Sequence, residues 1–424
     1  MKKQKKKSNK FIYRVLPLLL IPGLSVLTVV STHSDELIFE PINYFIYILL
    51  SLFIYLFVVG LWRVKKGKRR LKKAFRILAF LFIFFYIIGC GTFLVLLYGP
   101  NDKFRNWLIS SAMQTMNHHY LCEWFYNENE INKVLKNNYV REVDEDTDTD
   151  LIKHTIKETF DNEYEEAILK GHDKDEPYRI IDLTVNGQKA YLAAVYDPSK
   201  VKVASTKYLG TKGQYVTEMA KDHNALLAIN GGGFVDPGYS SSGGMPCSVT
   251  FSFGNVVTDN TYSHYTKSGG LIALTNDDKL IFIKEPTAQK ALNQGVRDGI
   301  YWAPFLIVNG KKSFIKGNGG WGYAARTAIG QREDGIILLL TVDSNASRTK
   351  GADMDDLTEI MYNYGAVNAA NLDGGTSTVM VLPKKEALNY VGSCEDDYCY
   401  INDPINGNLK HRTRAIATSI VVVK

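Results

Sequence analysis

An apolar run in the C-terminal part of the chain ends on a carboxylate. Residues 366–372 read AVNAANL, and Asp373 follows, with Gly374, Gly375 and three hydroxyl residues directly after it. A carboxylate at the end of a buried strand needs a partner, because burying an unpaired charge is costly. Glycines beside it allow a ligand to approach the backbone closely. The stretch therefore indicates the floor of an active site.

Two other apolar runs also end on a polar residue. One leads into Asn230, Gly231 and Gly232, and the other leads into Asp343. Arg326 begins a further run, ARTAIG. Each tip alone is equally well explained as a turn, because glycine and aspartate are common turn residues. Three such tips together with an arginine favour a site where strand ends and loops converge.

The residues around these tips predict strands with short helices between them. Residues 178–185 and 188–197 read as strands, and Asn186-Gly187 between them is a strong hairpin signal. Residues 353–364 place their apolar side chains on one helical face, with acids at the front and a glycine after the end. Strands outnumber helices, so the sequence predicts an α+β, mixed-sheet domain over residues 178–424.

The N-terminal part has the pattern of a membrane anchor, predicted over residues 1–99. Apolar segments at about 11–31, 42–62 and 75–98 each approach the roughly 20 residues needed to cross a bilayer as a helix. Residues 1–76 contain 16 Lys and Arg against three acidic residues. The positive-inside rule predicts a multi-pass cell-membrane protein with a cytoplasmic N-terminus and an extracellular C-terminal domain. The first segment also fits a cleaved signal peptide.

The rest of the chain is mildly acidic, with 34 Lys and Arg against 41 acidic residues after residue 76. Nucleic-acid binding would need basic charge on the large domain, so it is not expected. Residues 100–177 read as a juxtamembrane helical and acidic spacer. No CxxC pair occurs, which argues against a zinc cluster. Cys394 and Cys399 bracket a polar loop, either as a small disulfide or as two free thiols.

Residues 201–423 resemble the phosphodiester glycosidases, a family that includes the lysosomal enzyme removing N-acetylglucosamine from a phosphodiester. Bacterial members are often labelled exopolysaccharide-related proteins. The motifs, in the family's order, are AINGGGF (228–234), ARTAIG (325–330), LLLTVD (338–343) and NLDGGTST (371–378). This chain departs from the family at Ser344, where glycine is frequent, and in the tract 384–410, which looks like an insertion.

The resemblance implies cleavage of a sugar-1-phosphodiester in a cell-surface glycopolymer or exopolysaccharide. Such a reaction passes through an oxocarbenium-like state, usually handled by two carboxylates. The resemblance implies that Asp373 and Asp343 are this catalytic pair and that Arg326 clamps the departing phosphodiester. The substrate-binding residues that it implies, besides Arg326, are Asn230, Gly231, Gly232, Gly374, Gly375 and Ser377. It implies no cofactor and no metal, although a divalent cation is compatible with the carboxylates.

Two functions of other classes use the same residues. A catalytically silent glycan-binding or assembly module would bind polymer after loss of both aspartates. A divalent-metal phosphodiesterase would use the same carboxylates as ligands and would be sensitive to EDTA. In each case the expected partner is a carbohydrate or sugar-phosphate polymer.

Overall fold

The computed structural model describes residues 2–35, 41–62, 69–113, 119–157, 159–235, 242–260, 268–345, 350–390, 393–404 and 413–424. The chain divides into two compact units, Met1–Asn137 and Asn138–Lys424. The helices of the first unit are α1 Lys2–His33, α2 Pro41–Trp62, α3 Arg69–Tyr98, α4 Lys103–Met113, α5 Tyr120–Glu123 and α6 Glu128–Asn137.

The three apolar segments predicted from the sequence lie within α1, α2 and α3. Tyr13–His33 and Lys73–Tyr98 have the length and composition of membrane-spanning helices, and Tyr44–Val59 is a shorter apolar stretch. A signal sequence near the N-terminus has the same properties as the first of these. Large apolar side chains on these helices face outward, including Phe53 at 70% and Phe80 at 67% exposure. Such surface is unusual for a protein that meets only water.

The second unit is built mainly of strands. Its helices are α7 Glu163–Leu169, α8 Val216–Asp222, α9 Ala288–Asn293 and α10 Met354–Asn363. Its strands are β1 Tyr139–Arg141, β2 Tyr178–Val185, β3 Gln188–Val195, β4 Val201–Ser205, β5 Leu227–Asn230, β6 Val249–Ser252, β7 Asn255–Asp259, β8 Gly270–Thr275, β9 Leu280–Ile283, β10 Val296–Trp302, β11 Phe305–Val308, β12 Lys311–Lys312, β13 Phe314–Lys316, β14 Arg326–Arg332, β15 Ile337–Val342, β16 Ala366–Asn371, β17 Met380–Pro383, β18 Cys394–Glu395, β19 Tyr398–Tyr400 and β20 Thr418–Val422.

These strands form three larger sheets and one ribbon. The strand orders are β12-β11-β16-β14-β15-β3-β2, β18-β19-β17-β5-β20-β4, β7-β6-β10-β8-β9 and β1-β13. The pairings between the described strands are antiparallel. The α+β domain predicted from the sequence is confirmed.

Local sequence explains the β2–β3 hairpin and α10. Asn186 and Gly187 have φ of 50° and 75°, the left-handed values that a two-residue hairpin turn requires. The predicted hairpin is therefore confirmed. Asp353 caps α10 by accepting the N–H groups of Asp355 and Asp356, both at 3.0 Å. Gly365 follows the helix with φ of 84°, as the helical pattern predicts.

Residues 139–177 contribute contacts to the second unit before the first long strand begins. β1 pairs with β13, matching Tyr139 with Lys316. The partly buried carboxylate of Glu142 accepts N–H groups of Gly269 and Phe305, both at 2.8 Å. The domain boundary at residue 178 stays a prediction.

The main hydrophobic core is shared by the three larger sheets. β8 shows how this works, because both of its faces are buried. Ile272 and Leu274 join the main core, whereas Leu271 and Ala273 pack in a second cluster with Ala291 of α9. Alternation along a strand sends successive side chains to opposite faces. A wholly apolar strand thus fits between two layers, and the core holds the strand tips of the site in place.

A disulfide joins Cys394 and Cys399 across the β18–β19 hairpin. We expect replacement of both cysteines with serine to lower the free energy of unfolding by about 2 kcal/mol, because the bridge closes a short loop. Chemical denaturation of both proteins measures this. Peptide mapping without reductant checks the bond itself, and recovery of the two cysteines as free thiols from freshly isolated protein would contradict the pairing.

Candidate active site

The candidate site lies beside β5, at the point where β14 begins and where β15 and β16 end. β14 is the middle strand of three, with Arg326 opposite Val342 of β15 and Ala328 opposite Asn371 of β16. Asp343 and Asp373 therefore follow strands on either side of β14. Neighbouring strands lie about 4.8 Å apart, so the two backbones are separated by about 10 Å.

Register also decides which face of the sheet each side chain takes. Paired residues share a face and neighbours alternate, so Asp343 leaves the sheet on the face opposite to Arg326. Thr327 lies on the same face as Asp343 and donates to Asn230 Oδ1 at 2.7 Å, which joins the seven- and six-stranded sheets. The structure thus brings Asn230 to the Asp373 strand but separates Asp343 from Arg326.

Asp373 is held by the β5 tip. Its N–H donates to Gly231 O at 3.2 Å, and its carbonyl accepts Asn230 Nδ2 at 2.6 Å. Its carboxylate Oδ1 accepts the N–H of Gly374 at 2.9 Å. The residue remains partly exposed. The backbone is therefore fixed by an adjacent sheet while the carboxylate keeps capacity for a ligand.

The surroundings of the Asp373 carboxylate act in opposite directions on its pKa. Burial raises the pKa above the ordinary 3.8, which disfavours the charged form. Arg414, the Ser377 hydroxyl, the Gly374 N–H and Arg326 lower the pKa in turn. Ser377 Oγ is buried and makes no hydrogen bond of ordinary geometry to any described residue, yet it lies close enough to favour the ionised carboxylate.

Asp343 is buried and already bonded on both oxygens. Oδ1 accepts Asn402 Nδ2 at 2.9 Å, and Oδ2 accepts the N–H of Asp403 at 3.0 Å. Burial raises the pKa of Asp343, while those two bonds lower it. Asn402 also accepts the N–H of Met380 at 2.8 Å. Asp343 thus fastens the chain at 402–403 to the sheet, and its place in a catalytic pair with Asp373 stays a prediction.

The predicted substrate contacts of the β5 tip are engaged with the protein. Asn230 is fully buried and bonds Asp373, Thr327 and the N–H of Val379. Of the four predicted glycine amides, those of Gly231 and Gly232 donate to Thr418 O and Oγ1, that of Gly374 to Asp373, and that of Gly375 to Ala325 O. These N–H groups are not open to a substrate in this structure.

Close packing explains the glycine at position 231. A Cβ there would lie 2.5 Å from Thr418 Oγ1, so a larger residue would push β5 away from β20. Gly375 has φ of 61°, in the left-handed region that favours glycine. Gly231 therefore permits close packing of β5 against β20 within one sheet. The sequence alone does not distinguish this role from ligand binding.

Arg326 is a buried cation surrounded by carbonyl groups. Nε donates to Ala352 O at 3.2 Å, and Nη2 donates to Gly322 O at 2.7 Å and to Trp321 O. Burial lowers the pKa of Arg326 to about 10, against the pull of Asp353 and Asp373. No ion pair to Arg326 occurs within the described part of the chain, so the glycine-rich loop 317–322 holds it mainly through backbone dipoles.

Arg414 is a second arginine beside Asp373. Its guanidinium lies 4.5 Å from the centre of the Phe234 ring, a cation–π contact. Its Nη2 is buried without a hydrogen-bond partner among the residues described. Among the neighbours that lower the pKa of Asp373, Arg414 has the largest effect.

Comparison with known proteins identifies this part of the chain. Residues 223–423 match the family model for phosphodiester glycosidases. These residues form a domain of the phosphodiester glycosidase type. A prophage-derived uncharacterised protein of Bacillus subtilis is 26% identical over 200 residues, which cover 46% of this chain and 30% of that protein.

Two further relatives are named as phosphodiester glycosidases. The N-acetylglucosamine-1-phosphodiester alpha-N-acetylglucosaminidase of Bos taurus is 35% identical over 74 residues, which cover 18% of this chain and 14% of the bovine protein. The catalytic domain of the zebrafish enzyme, auto-inhibited by its pro-peptide, has 20% identity and a TM-score of 0.46, covering 60% of this chain and 85% of that one. The matched part of this chain spans less than a third of either curated relative.

Sequence reasoning missed three residues of the phosphodiester glycosidase domain that contact or adjoin the site. Asn402 lies in the tract 384–410, which looked like an insertion, and Arg414 follows that tract. Cys247 lies near Asp373, and burial together with that carboxylate raises the pKa of its thiol to about 12. Of the three, only Arg414 had a sequence signal that could have indicated a site residue, because it lies shortly before the last strand, β20. Within the described ranges no group of three His, Cys, Asp or Glu residues could hold a metal ion.

Proposed function

We propose that this protein is a hydrolase that cleaves a sugar-1-phosphodiester, with Asp373 as the carboxylate that acts at the anomeric carbon. The observation that carries the proposal is a carboxylate flanked by two arginines that form no ion pair with it among the described residues. The family match and the substrate in the name of the bovine enzyme support the same class of bond.

The reaction needs one water molecule. The bond between the anomeric carbon and the phosphate oxygen breaks, and its electron pair leaves with the phosphate. The water oxygen bonds to the anomeric carbon, and its proton passes to the phosphate or to solvent. Asp373 acts in one of two ways: as nucleophile it bonds to the anomeric carbon as the phosphate leaves, and the water then breaks that ester bond; as general base it takes the proton of the attacking water and passes it to solvent. The leaving phosphodiester is a weak base, so a nearby cation stabilises it more than an acid would.

We further propose that the domain lies outside the cell, anchored by the N-terminal helices. The exposed apolar faces of α2 and α3 suit lipid contact, and a disulfide in the second unit suits an oxidising compartment. A membrane-impermeant amine reagent applied to intact cells tests this. We expect labelling of lysines after residue 138 and not of Lys2–Lys10; the reverse pattern would refute the topology.

A panel of sugar-1-phosphodiesters, incubated with the full chain in detergent, tests the activity. We expect free sugar from at least one member, with turnover unchanged by EDTA. Polymer binding without release from any member would favour the silent glycan-binding module. Turnover abolished by EDTA and restored by a divalent cation would favour the metal phosphodiesterase.

The pH dependence of turnover follows from the raised pKa of Asp373. The ionised carboxylate is lost as the pH falls through that pKa, so we expect kcat/KM to decline at a pH above the ordinary aspartate range. Arg414→Gln removes a charge that lowers this pKa, so it should move the decline to higher pH. Profiles of both proteins measure the effect, and an acid limb that does not move would contradict the assignment.

A further inference from the structure

The two arginines beside Asp373 differ in how their hydrogen-bonding capacity is used. A guanidinium offers five N–H donors. Arg326 donates three hydrogen bonds to the backbone carbonyls of Trp321, Gly322 and Ala352. These bonds tie the glycine-rich loop to Ala352, two residues before α10, so the position of Arg326 is set by the protein rather than by a ligand.

Arg414, in contrast, has a buried N–H group that no protein atom accepts within the described residues. This group is on Nη2, and the guanidinium lies over the Phe234 ring, which is not a hydrogen-bond acceptor of the usual kind. Buried donors are almost always paired, and an unpaired charged donor is costly. A ligand that brings an acceptor oxygen would remove this cost.

Ser377 provides a second open group at the same carboxylate. It is 1% exposed, and its Oγ has no hydrogen-bond partner within the described residues. It follows Asp373 through the short 3-10 helix Gly375–Ser377. Two buried and unpartnered polar atoms therefore adjoin one carboxylate.

The position of Arg414 is coupled to that of Asp373 through the β5 tip. Asp373 donates its N–H to Gly231 O, and Gly231 donates its N–H to Thr418 O at 2.9 Å. Arg414 precedes Thr418 by four residues and lies on Phe234, three residues after Gly231. The same short loop thus positions the cation and the carboxylate.

We propose that Arg414 and Ser377 bind the non-bridging phosphate oxygens of the substrate, while Arg326 is a positioning residue that holds the loop around Asp373. This assignment rests on the proposed function for the identity of the substrate. A phosphodiester presents two oxygens that share a negative charge, which matches a guanidinium and a hydroxyl. A neutral sugar hydroxyl would leave the guanidinium charge uncompensated.

Binding of inorganic phosphate to the full chain, measured by calorimetry, tests the assignment. We expect Arg414→Gln to weaken phosphate binding by about 10- to 100-fold, the usual range for a hydrogen bond to a charged group. Ser377→Ala should weaken it by a smaller factor, and Arg414→Lys should recover part of the loss. The exposed Arg141→Gln is the matched control and should bind as the wild type does.

Arg326→Gln separates the two arginines. We expect it to lower the thermal midpoint of unfolding while the folded fraction still binds phosphate within a few-fold of wild type. Unchanged phosphate affinity in folded Arg414→Gln, or a loss confined to Arg326→Gln, would overturn the assignment. If Arg414→Gln does not fold, full affinity in both Arg414→Lys and Ser377→Ala overturns it in the same way.

The outcome is separable from that of the proposed function. Phosphate binding that depends on Arg414, without sugar release from any phosphodiester, refutes the hydrolase and supports the anion site. Sugar release together with a phosphate affinity that is the same in wild type and in Arg414→Gln supports the hydrolase and refutes the anion site.

Discussion

Asp373→Asn abolishes sugar release in this account, with an expected loss in kcat of about 10²- to 10⁴-fold, the usual contribution of a positioned acid or base. An amide keeps the shape of the side chain and can still accept the Gly374 N–H, but it can neither attack the anomeric carbon nor take a proton. Initial rates on the substrate found in the panel measure the loss.

The same substitution should not destabilise the protein. The folded-state pKa of Asp373 is raised, so its charged form costs folding free energy at pH values above that pKa. Removing the charge should leave the thermal midpoint at neutral pH equal to or above that of wild type. Asp161→Asn, an exposed aspartate on the same unit, is the control and should retain full activity. An active Asp373→Asn enzyme would remove Asp373 from the chemistry.

Asp343→Asn distinguishes a catalytic pair from a positioning role. Because both oxygens of Asp343 bind the chain at 402–403, we expect a smaller loss of kcat than from Asp373→Asn. Equal losses from the two variants in stable proteins would instead support the pair predicted from the sequence.

Asp298→Ala should have the largest effect on stability. Asp298 is buried on β10, and its Oδ1 accepts the N–H groups of Val203 and Phe253, both at 2.9 Å. Its other oxygen pairs with Arg297, which also bonds Asp278. Alanine leaves the two backbone N–H groups without an acceptor and leaves Arg297 with one carboxylate instead of two, so we expect a loss of about 3–5 kcal/mol in the free energy of unfolding.

Chemical denaturation followed by tryptophan fluorescence measures that loss. Asp298→Asn is the informative companion, because its carbonyl oxygen can still accept both N–H groups while the charge is gone. It should lose less stability than the alanine variant. Exposed Asp161→Ala should show little change, and a similarly small change in Asp298→Ala would contradict the assigned role.

The sequence predicted the parts of the fold that depend on neighbours along the chain. The hairpin at Asn186-Gly187 follows from left-handed turn residues, and α10 follows from its apolar face and its capping aspartate. The apolar runs before Asn230, Asp343 and Asp373 predicted strands with polar tips, which the structure contains.

The roles of those tips depend on partners distant in sequence, which local patterns do not specify. Glycine at 231 suggested an amide open to substrate, but its N–H donates to Thr418, 187 residues later. The sequence predicts Asp343 as the catalytic partner of Asp373, and that pairing stays a prediction; the register adds that β14 lies between the strands that precede them. Asn402 and Arg414 were missed because only the folded sheets bring these two residues to the carboxylates.

The most direct test of the central claim is hydrolysis of a sugar-1-phosphodiester in water enriched in oxygen-18. Attack at the anomeric carbon places the heavy oxygen in the released sugar and leaves the phosphate unlabelled. Early time points are required, because the anomeric oxygen of a free sugar exchanges slowly with water. We expect label in the sugar alone. Label in the phosphate would show cleavage at phosphorus and would contradict a glycosidase.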